Sequence, residues 1–82
     1  MWSIYIVKCA DGSLYTGCAM DVVRRVTVHN VGKGAKYTRA RRPVRLVYQE
    51  SCTDHSAALK REAAIKKMSR AAKLLLADQF FT

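Results

Sequence analysis

Ser3-Ile4-Tyr5-Ile6-Val7-Lys8-Cys9-Ala10-Asp11-Gly12-Ser13-Leu14-Tyr15-Thr16-Gly17 is the stretch that decides how this chain folds. Two runs rich in β-formers flank an Asp-Gly step, the strongest short-range signal for a β-hairpin. The length of the turn fixes the register. A two-residue loop of Asp11-Gly12 sets Cys9 opposite Leu14 and sends Tyr5 and Tyr15 to opposite faces. A three-residue loop, Ala10-Asp11-Gly12 with Gly12 in the left-handed conformation of a G1 bulge, sets Tyr5 opposite Gly17 and Val7 opposite Tyr15. Both tyrosines then share a face. The second register is the expected one, because it also gathers Ile4, Ile6 and Leu14 on the other face and so gives the hairpin an apolar side to bury.

Working outward, Asp21 caps a helix that runs to about Val31, with Gly32 as its stop. Val22, Val26 and His29 form its buried stripe, and Arg25 lies at the margin one turn before His29. Residues 32–43 hold two glycines, a proline and five basic residues, and are expected to form a strongly positive loop. Residues 44–50 read as a third strand, with Val44, Leu46 and Tyr48 on one side and Arg45, Val47 and Gln49 on the other. Thr53 or Asp54 caps a second long helix to about Met68, with Ala57, Ala58, Ala64, Ile65 and Met68 facing inward and Glu62 beside that arc. Ser69 opens a last helix to about Asp78 that packs Ala71, Leu74 and Leu75. The expected fold is α/β of the α+β type: a small, mostly antiparallel three-stranded sheet flanked by helices, in the order β-β-α-β-α-α, forming a single domain over residues 1–82.

Fifteen Lys and Arg against six Asp and Glu give a net charge of +9, which makes polyanions the expected partners, and nucleic acid the leading class. The basic residues are not confined to one face of a long amphipathic helix, so a membrane surface is not expected as the partner. No apolar run nears the roughly 18–20 residues of a membrane span, and the N-terminus lacks a signal-peptide pattern, so the expected location is the cytoplasm. Cys9, Cys18 and Cys52 are odd in number and lack a Cys-x-x-Cys pair. Buried free thiols are the better reading than a disulfide framework or a zinc site.

The tripeptides Ser3-Ile4-Tyr5 and Tyr15-Thr16-Gly17 are followed by Arg25, by His29 one turn later, and by Glu62 in the later helix. This ordered set resembles the GIY-YIG nuclease superfamily over about residues 3–70, and particularly its small stand-alone single-domain members. The segment Gly32-Lys33-Gly34-Ala35-Lys36-Tyr37-Thr38 is similar to that subgroup as well. Ser3 replaces the first glycine of the family pattern and Thr16 its isoleucine. Cys18 stands where some members have a lysine, and there is no obvious match for the asparagine that some members place after the glutamate.

The resemblance implies a divalent-metal-dependent endonuclease that hydrolyses DNA phosphodiester bonds, with branched, flapped or nicked DNA as expected substrates. The chemistry needs an in-line water, a base for its proton, and positive charge on the phosphate and leaving oxygen. Glu62 is the single acidic side chain expected beside the site, too few for a two-metal clamp but suited to one Mg²⁺ or Mn²⁺ that keeps several waters. Its plainer reading is a surface pair with Lys66 at i, i+4. Tyr5 is the expected proton acceptor, directly or through a metal-bound water, and Tyr15 a positioning group; the reverse assignment stays open. A tyrosine of ordinary pKa near 10 needs help from a cation to serve as a base at neutral pH. Arg25 is expected on the scissile phosphate, and His29 as a proton-transfer aid or a hydrogen-bond partner of the nucleophile. Taken singly, each has a bland reading as an ordinary helix residue. His55 reads as surface.

Lys33, Lys36, Arg39, Arg41, Arg42 and Arg45 are expected to track the nucleic-acid backbone, with Tyr37 stacking or packing. Four phosphate contacts would give log affinity a slope of about −3 to −4 against log salt. Two other classes compete with the nuclease: a weakly active or non-catalytic nucleic-acid-binding module of the same fold, and a basic adaptor that binds protein through Leu74, Leu75, Leu76, Phe80 and Phe81. Those last residues read more simply as core and a frayed end.

Overall fold

A computed structural model describes residues 1–80, so the sequence reading of the Phe80 and Phe81 side chains falls outside what is described. β1 (Ser3–Lys8) and β2 (Leu14–Ala19) form the hairpin, with Tyr5 opposite Gly17 and Val7 opposite Tyr15. The turn has three residues: Cys9 N–H donates to Ser13 O at 2.8 Å, and Gly12 takes a φ of 85°. Both tyrosines therefore lie on one face, as the apolar pattern requires. β3 (Arg45–Ser51) pairs antiparallel with the other edge of β1, giving a sheet of order β2-β1-β3.

α1 (Val22–Asn30) begins at Asp21, whose carboxylate accepts from Arg24 N–H, and ends at Gly32 with a φ of 84°. Gly32 N–H donates to His29 O and Lys33 N–H to Val28 O, the paired bonds of a Schellman cap. Asn30 then ties the helix end to the entrance of β3: its side chain accepts from Val44 N–H at 2.7 Å and donates to Val44 O at 3.0 Å. α3 (His55–Lys66), α4 (Arg70–Phe80) and their caps Asp54 and Ser69 complete the chain. Trp2 stacks on the exposed ring of His55, with centroids 3.9 Å apart and planes 12° from parallel.

The sheet has apolar side chains on both faces. Tyr5, Val7, Cys9, Ala19, Val22 and Val44 form one cluster under α1. Ile4, Ile6, Val47, Ala58 and Ile65 form the other, against α3 and α4. No helix among the described residues is long and apolar enough to cross a membrane.

Four local expectations change. The stretch before Pro43 is not wholly loop, because Lys36–Arg39 forms one helical turn, α2, anchored by the fully buried Thr38. Strand alternation in β3 breaks at Val47: Ile6 pairs with Tyr48 and Val7 with Leu46, so a bulge turns Val47 and Tyr48 toward the second cluster while Leu46 joins the first. In α3, Ala64 is exposed; the inward line runs through Ala58, Arg61, Glu62, Ile65 and Met68. In α4, Leu76 and Ala77 pack inward while Ala71, Leu74 and Leu75 are exposed. That helix is apolar on most of its circumference, so its pattern alone does not select a face.

Candidate active site

On the tyrosine face, three elements meet in a buried hydrogen-bonded chain. The hydroxyl of Tyr5, from β1, lies 2.8 Å from Nε2 of His29, from the last turn of α1. Nδ1 of His29 lies 2.7 Å from Thr38 Oγ1, on α2, and Thr38 donates onward to Ala35 O at 3.0 Å. The carbonyl can only accept, so it takes the single threonine proton, and Thr38 must accept from His29 Nδ1–H. That fixes the neutral imidazole with its lone pair at Nε2, facing the Tyr5 hydroxyl, which donates to it. Two glycines make room for this chain. An alanine Cβ at Gly17 would stand 2.6 Å from the Tyr5 hydroxyl oxygen, and one at Gly34 would collide with His29 Nδ1.

Burial sets the protonation of the pair. It pushes the Tyr5 phenol far above the ordinary tyrosine range, reinforced by Tyr15, Cys18 and Glu62 and opposed by Arg25. Burial, with Arg25 adding to it, holds His29 below the usual histidine value. The resting pair is therefore a neutral phenol donating to a neutral imidazole.

The chain opens onto a cleft of about 310 Å³ lined by Tyr5, Tyr15, Arg25, His29 and Glu62, with Gly17, Cys18, Lys33, Gly34 and Ala35 completing its walls. All five expected catalytic residues thus border one cavity. Tyr15 sets its ring against His29 nearly edge-on, with centroids 5.4 Å apart. Glu62 enters from α3 with its side chain only 17% exposed and forms an ion pair with Lys66 at 3.5 Å. An i, i+4 pair of this kind is worth only about 0.3–0.5 kcal/mol, too little to hold the carboxylate against a divalent ion. Glu50, by contrast, is committed: it accepts from Arg61 and from the Tyr48 hydroxyl. Burial, with Glu62 beside it, raises the Cys18 thiol, which keeps it protonated in the cleft.

Among the described residues, no three His, Cys, Asp or Glu side chains cluster as a closed metal cage. The donor set of the cleft, one carboxylate with open space before it, fits a hard ion that retains its water and takes a substrate oxygen. It does not fit a structural zinc site.

The expected backbone-tracking residues fall in four places. Lys33 lines the cleft itself. Lys36, Tyr37, Arg39 and Arg41 share a surface on α2 and just beyond it, next to the cleft through the Tyr15–Tyr37 stack at 6.0 Å. Arg41 is already engaged there, over the Tyr37 ring at 3.9 Å and bonded to Asp11 and to Tyr37 O. Arg42 donates to Arg39 O and Asn30 O, closing the loop beneath Gly32. Arg45 stands apart, beside Lys8 at the end of β1 and β3.

Thr38 and Gly34 hold His29 in place, yet the sequence singles out neither: both lie in the basic loop and in the segment 32–38 that resembles the stand-alone subgroup, with no role expected of them. Thr38 lies nine residues beyond His29, and a contact of that separation has no periodic signal. Its polar side chain, small and flanked by Tyr37 and Arg39, gives no hint of complete burial.

Comparison with known proteins places the chain and its fold. The GIY-YIG catalytic domain matches residues 1–74. UPF0213 protein SERP0126 of Staphylococcus epidermidis is 62% identical over 76 residues, covering 93% of each chain. UPF0213 protein DP2720 of Desulfotalea psychrophila is 58% identical over 76 residues, covering 92% of this chain and 69% of its own. The solution NMR structure of UPF0213 protein BH0048 from Bacillus halodurans is 44% identical, with a TM-score of 0.60 over 96% of this chain and 85% of that one. With a match of this extent and a nuclease-type α+β fold, the chain belongs to the GIY-YIG family and is related to its small UPF0213 proteins.

Proposed function

We propose that the protein is a metal-dependent endonuclease that hydrolyses phosphodiester bonds in DNA, with branched, flapped or nicked DNA as its substrates. The observation that supports this most is the convergence of the Tyr5–His29–Thr38 chain, Arg25 and Glu62 on one cleft. Burial makes a free Tyr5 phenolate inaccessible, so Tyr5 acts as a base only by handing its own proton to His29 Nε2 as it takes one from the attacking water. His29 ends this step as an imidazolium, its Nδ1–H still directed to Thr38. The water oxygen forms a bond to phosphorus, and the bond to the leaving oxygen breaks. Arg25 pairs with the charge that builds on the phosphate, and Tyr15 orients the reacting groups. Glu62 would hold a single Mg²⁺ or Mn²⁺, which when bound supplies positive charge to the phosphate and the leaving oxygen.

A second reading, a binding module with feeble catalysis, draws on Glu62 being paired with Lys66 and on Cys18 where a cation would help. Incubating the wild type and Glu62→Ala with branched, flapped and fully paired DNA, with Mg²⁺ or Mn²⁺ and then with chelator, separates the two. Metal-dependent cleavage lost in the variant supports the nuclease. Binding by both proteins with cleavage by neither supports the module.

A further inference from the structure

A second depression, of about 370 Å³, adjoins the candidate active site and shares Arg25 with it. It lies at the end of the β1–β2 ladder, one step beyond the Ser3–Ala19 pair, and is lined by Trp2, Ala19, Met20, Arg24, Arg25 and Val28, with Asp21, whose carboxylate accepts from Arg24 N–H as the helix cap, at its edge. Its character is mixed. Met20 is 62% exposed and Trp2 half-buried, so apolar and aromatic surface meets solvent beside two guanidinium groups.

Trp2 is held rigidly. Its indole stacks on His55, and its backbone carbonyl accepts from Cys52 N–H at 2.8 Å. An indole fixed in this way loses little freedom when a flat ligand comes to lie on it. Tyr37, an exposed aromatic near the cleft, is already engaged by Tyr15 and by Arg41.

Resting on the nuclease reading above, we propose that this depression binds an unpaired nucleotide next to the scissile phosphate. Its base lies against Trp2 and Met20, and its phosphate meets Arg24 while Arg25 bridges to the reacting phosphate. A base inside a duplex is stacked on its neighbours and cannot enter, whereas one in a single-stranded flap or gap enters at little cost. Placed here, the subsite would select DNA with an unpaired strand at the cut. The basic groups supply the charge complementarity, and the apolar wall supplies the preference for a base over a bare backbone.

Trp2 is the chain's one tryptophan, so its emission reports on the subsite directly. The unsubstituted protein is titrated in chelator with a flapped duplex, with the same duplex carrying abasic residues in the flap, and with the fully paired duplex. Emission should be quenched by the first and little changed by the other two. Trp2→Leu should weaken binding of the flapped DNA roughly tenfold while leaving the abasic version unaffected, as expected for the loss of one stacked base. His55→Ala, which only loosens the indole, should give a smaller loss in the same direction. Equal quenching by the abasic flap, or unchanged affinity in Trp2→Leu, overturns the proposal. A shift in emission that follows protein concentration instead of DNA also overturns it, by marking the patch as a contact between copies. Quenching without metal-dependent cleavage keeps the subsite and retires the nuclease reading; cleavage without quenching does the reverse.

Discussion

Replacing Gly17 by alanine adds one methyl group to the floor of the site, directly beneath the Tyr5 hydroxyl. Gly17 has no left-handed backbone requirement, since the positive φ values among the glycines belong to Gly12 and Gly32. Alanine should therefore suit the strand backbone slightly better than glycine. The contact alone decides the sign. The new Cβ would lie 2.6 Å from the Tyr5 oxygen and 2.8 Å from Cζ, whereas ordinary van der Waals contact begins at 3.4 Å, so the phenol must withdraw by about 0.8 Å. Tyr5 is 2% exposed and packed into the first core cluster, and such overpacking costs about 1–3 kcal/mol. A displacement of that size would take the 2.8 Å bond to His29 beyond hydrogen-bonding distance. Thermal unfolding of Gly17→Ala should show the lost stability, and cleavage should fall by at least the roughly 100-fold that a positioned proton acceptor contributes. Wild-type stability together with wild-type cleavage would refute the placement of Tyr5 over Gly17 and the relay built on it.

Thr38→Val keeps the shape of the side chain but leaves His29 Nδ1–H buried without an acceptor, at a cost of about 1–3 kcal/mol; nitrogen NMR of the imidazole should show the fixed tautomer lost, and Thr38→Ser should restore it. Acid should destabilise the protein through His29. Its folded pKa lies below the unfolded value of about 6.5, so its contribution is complete above that pH and drains away as pH falls below it, when the unfolded chain takes up a proton that the fold resists. Melting temperatures measured from neutral to mildly acidic pH should therefore fall more steeply in the wild type than in His29→Gln, and equal slopes would count against a buried neutral imidazole. Thr16 carries a buried hydroxyl with no hydrogen-bond partner among the described residues, so Thr16→Val should raise stability by about 1 kcal/mol in denaturant unfolding, leaving the tyrosine face unchanged.

What was legible in the sequence was local. The Asp-Gly turn, the caps at Asp21, Asp54 and Ser69 and the glycine stop at Gly32 each depend on a few adjacent residues, and each is found where the chemistry of those residues requires it. The shared face of Tyr5 and Tyr15 followed from the same turn arithmetic. The features that escaped depend on partners distant in sequence. The bulge at Val47 exists because Ile6 and Val7 each need a partner across the sheet, and the inward face of α4 is set by where the helix docks. Within the site, Arg25, His29 and Glu62 carried recognisable residue types at recognisable spacing. Thr38 and Gly34 did not: one is needed for its proton arrangement and the other for its missing Cβ, and neither need leaves a periodic trace. The expected assistance of Tyr5 by a cation also needed the structure to weigh it. Arg25 does lower the phenol, but burial outweighs it, and for that reason the proposed relay hands the proton on to His29.

The relay from Tyr5 to His29 is tested most directly by single-turnover cleavage of a flapped DNA duplex by the wild type and by Tyr5→Phe, with Mg²⁺ and with chelator. Phenylalanine retains the packing of the ring over Gly17 and removes only the hydroxyl that meets His29 Nε2. If the relay operates, the wild type cleaves in an Mg²⁺-dependent way, Tyr5→Phe loses about 100-fold or more, and DNA binding by the variant is undiminished. Cleavage by Tyr5→Phe at the wild-type rate would contradict it.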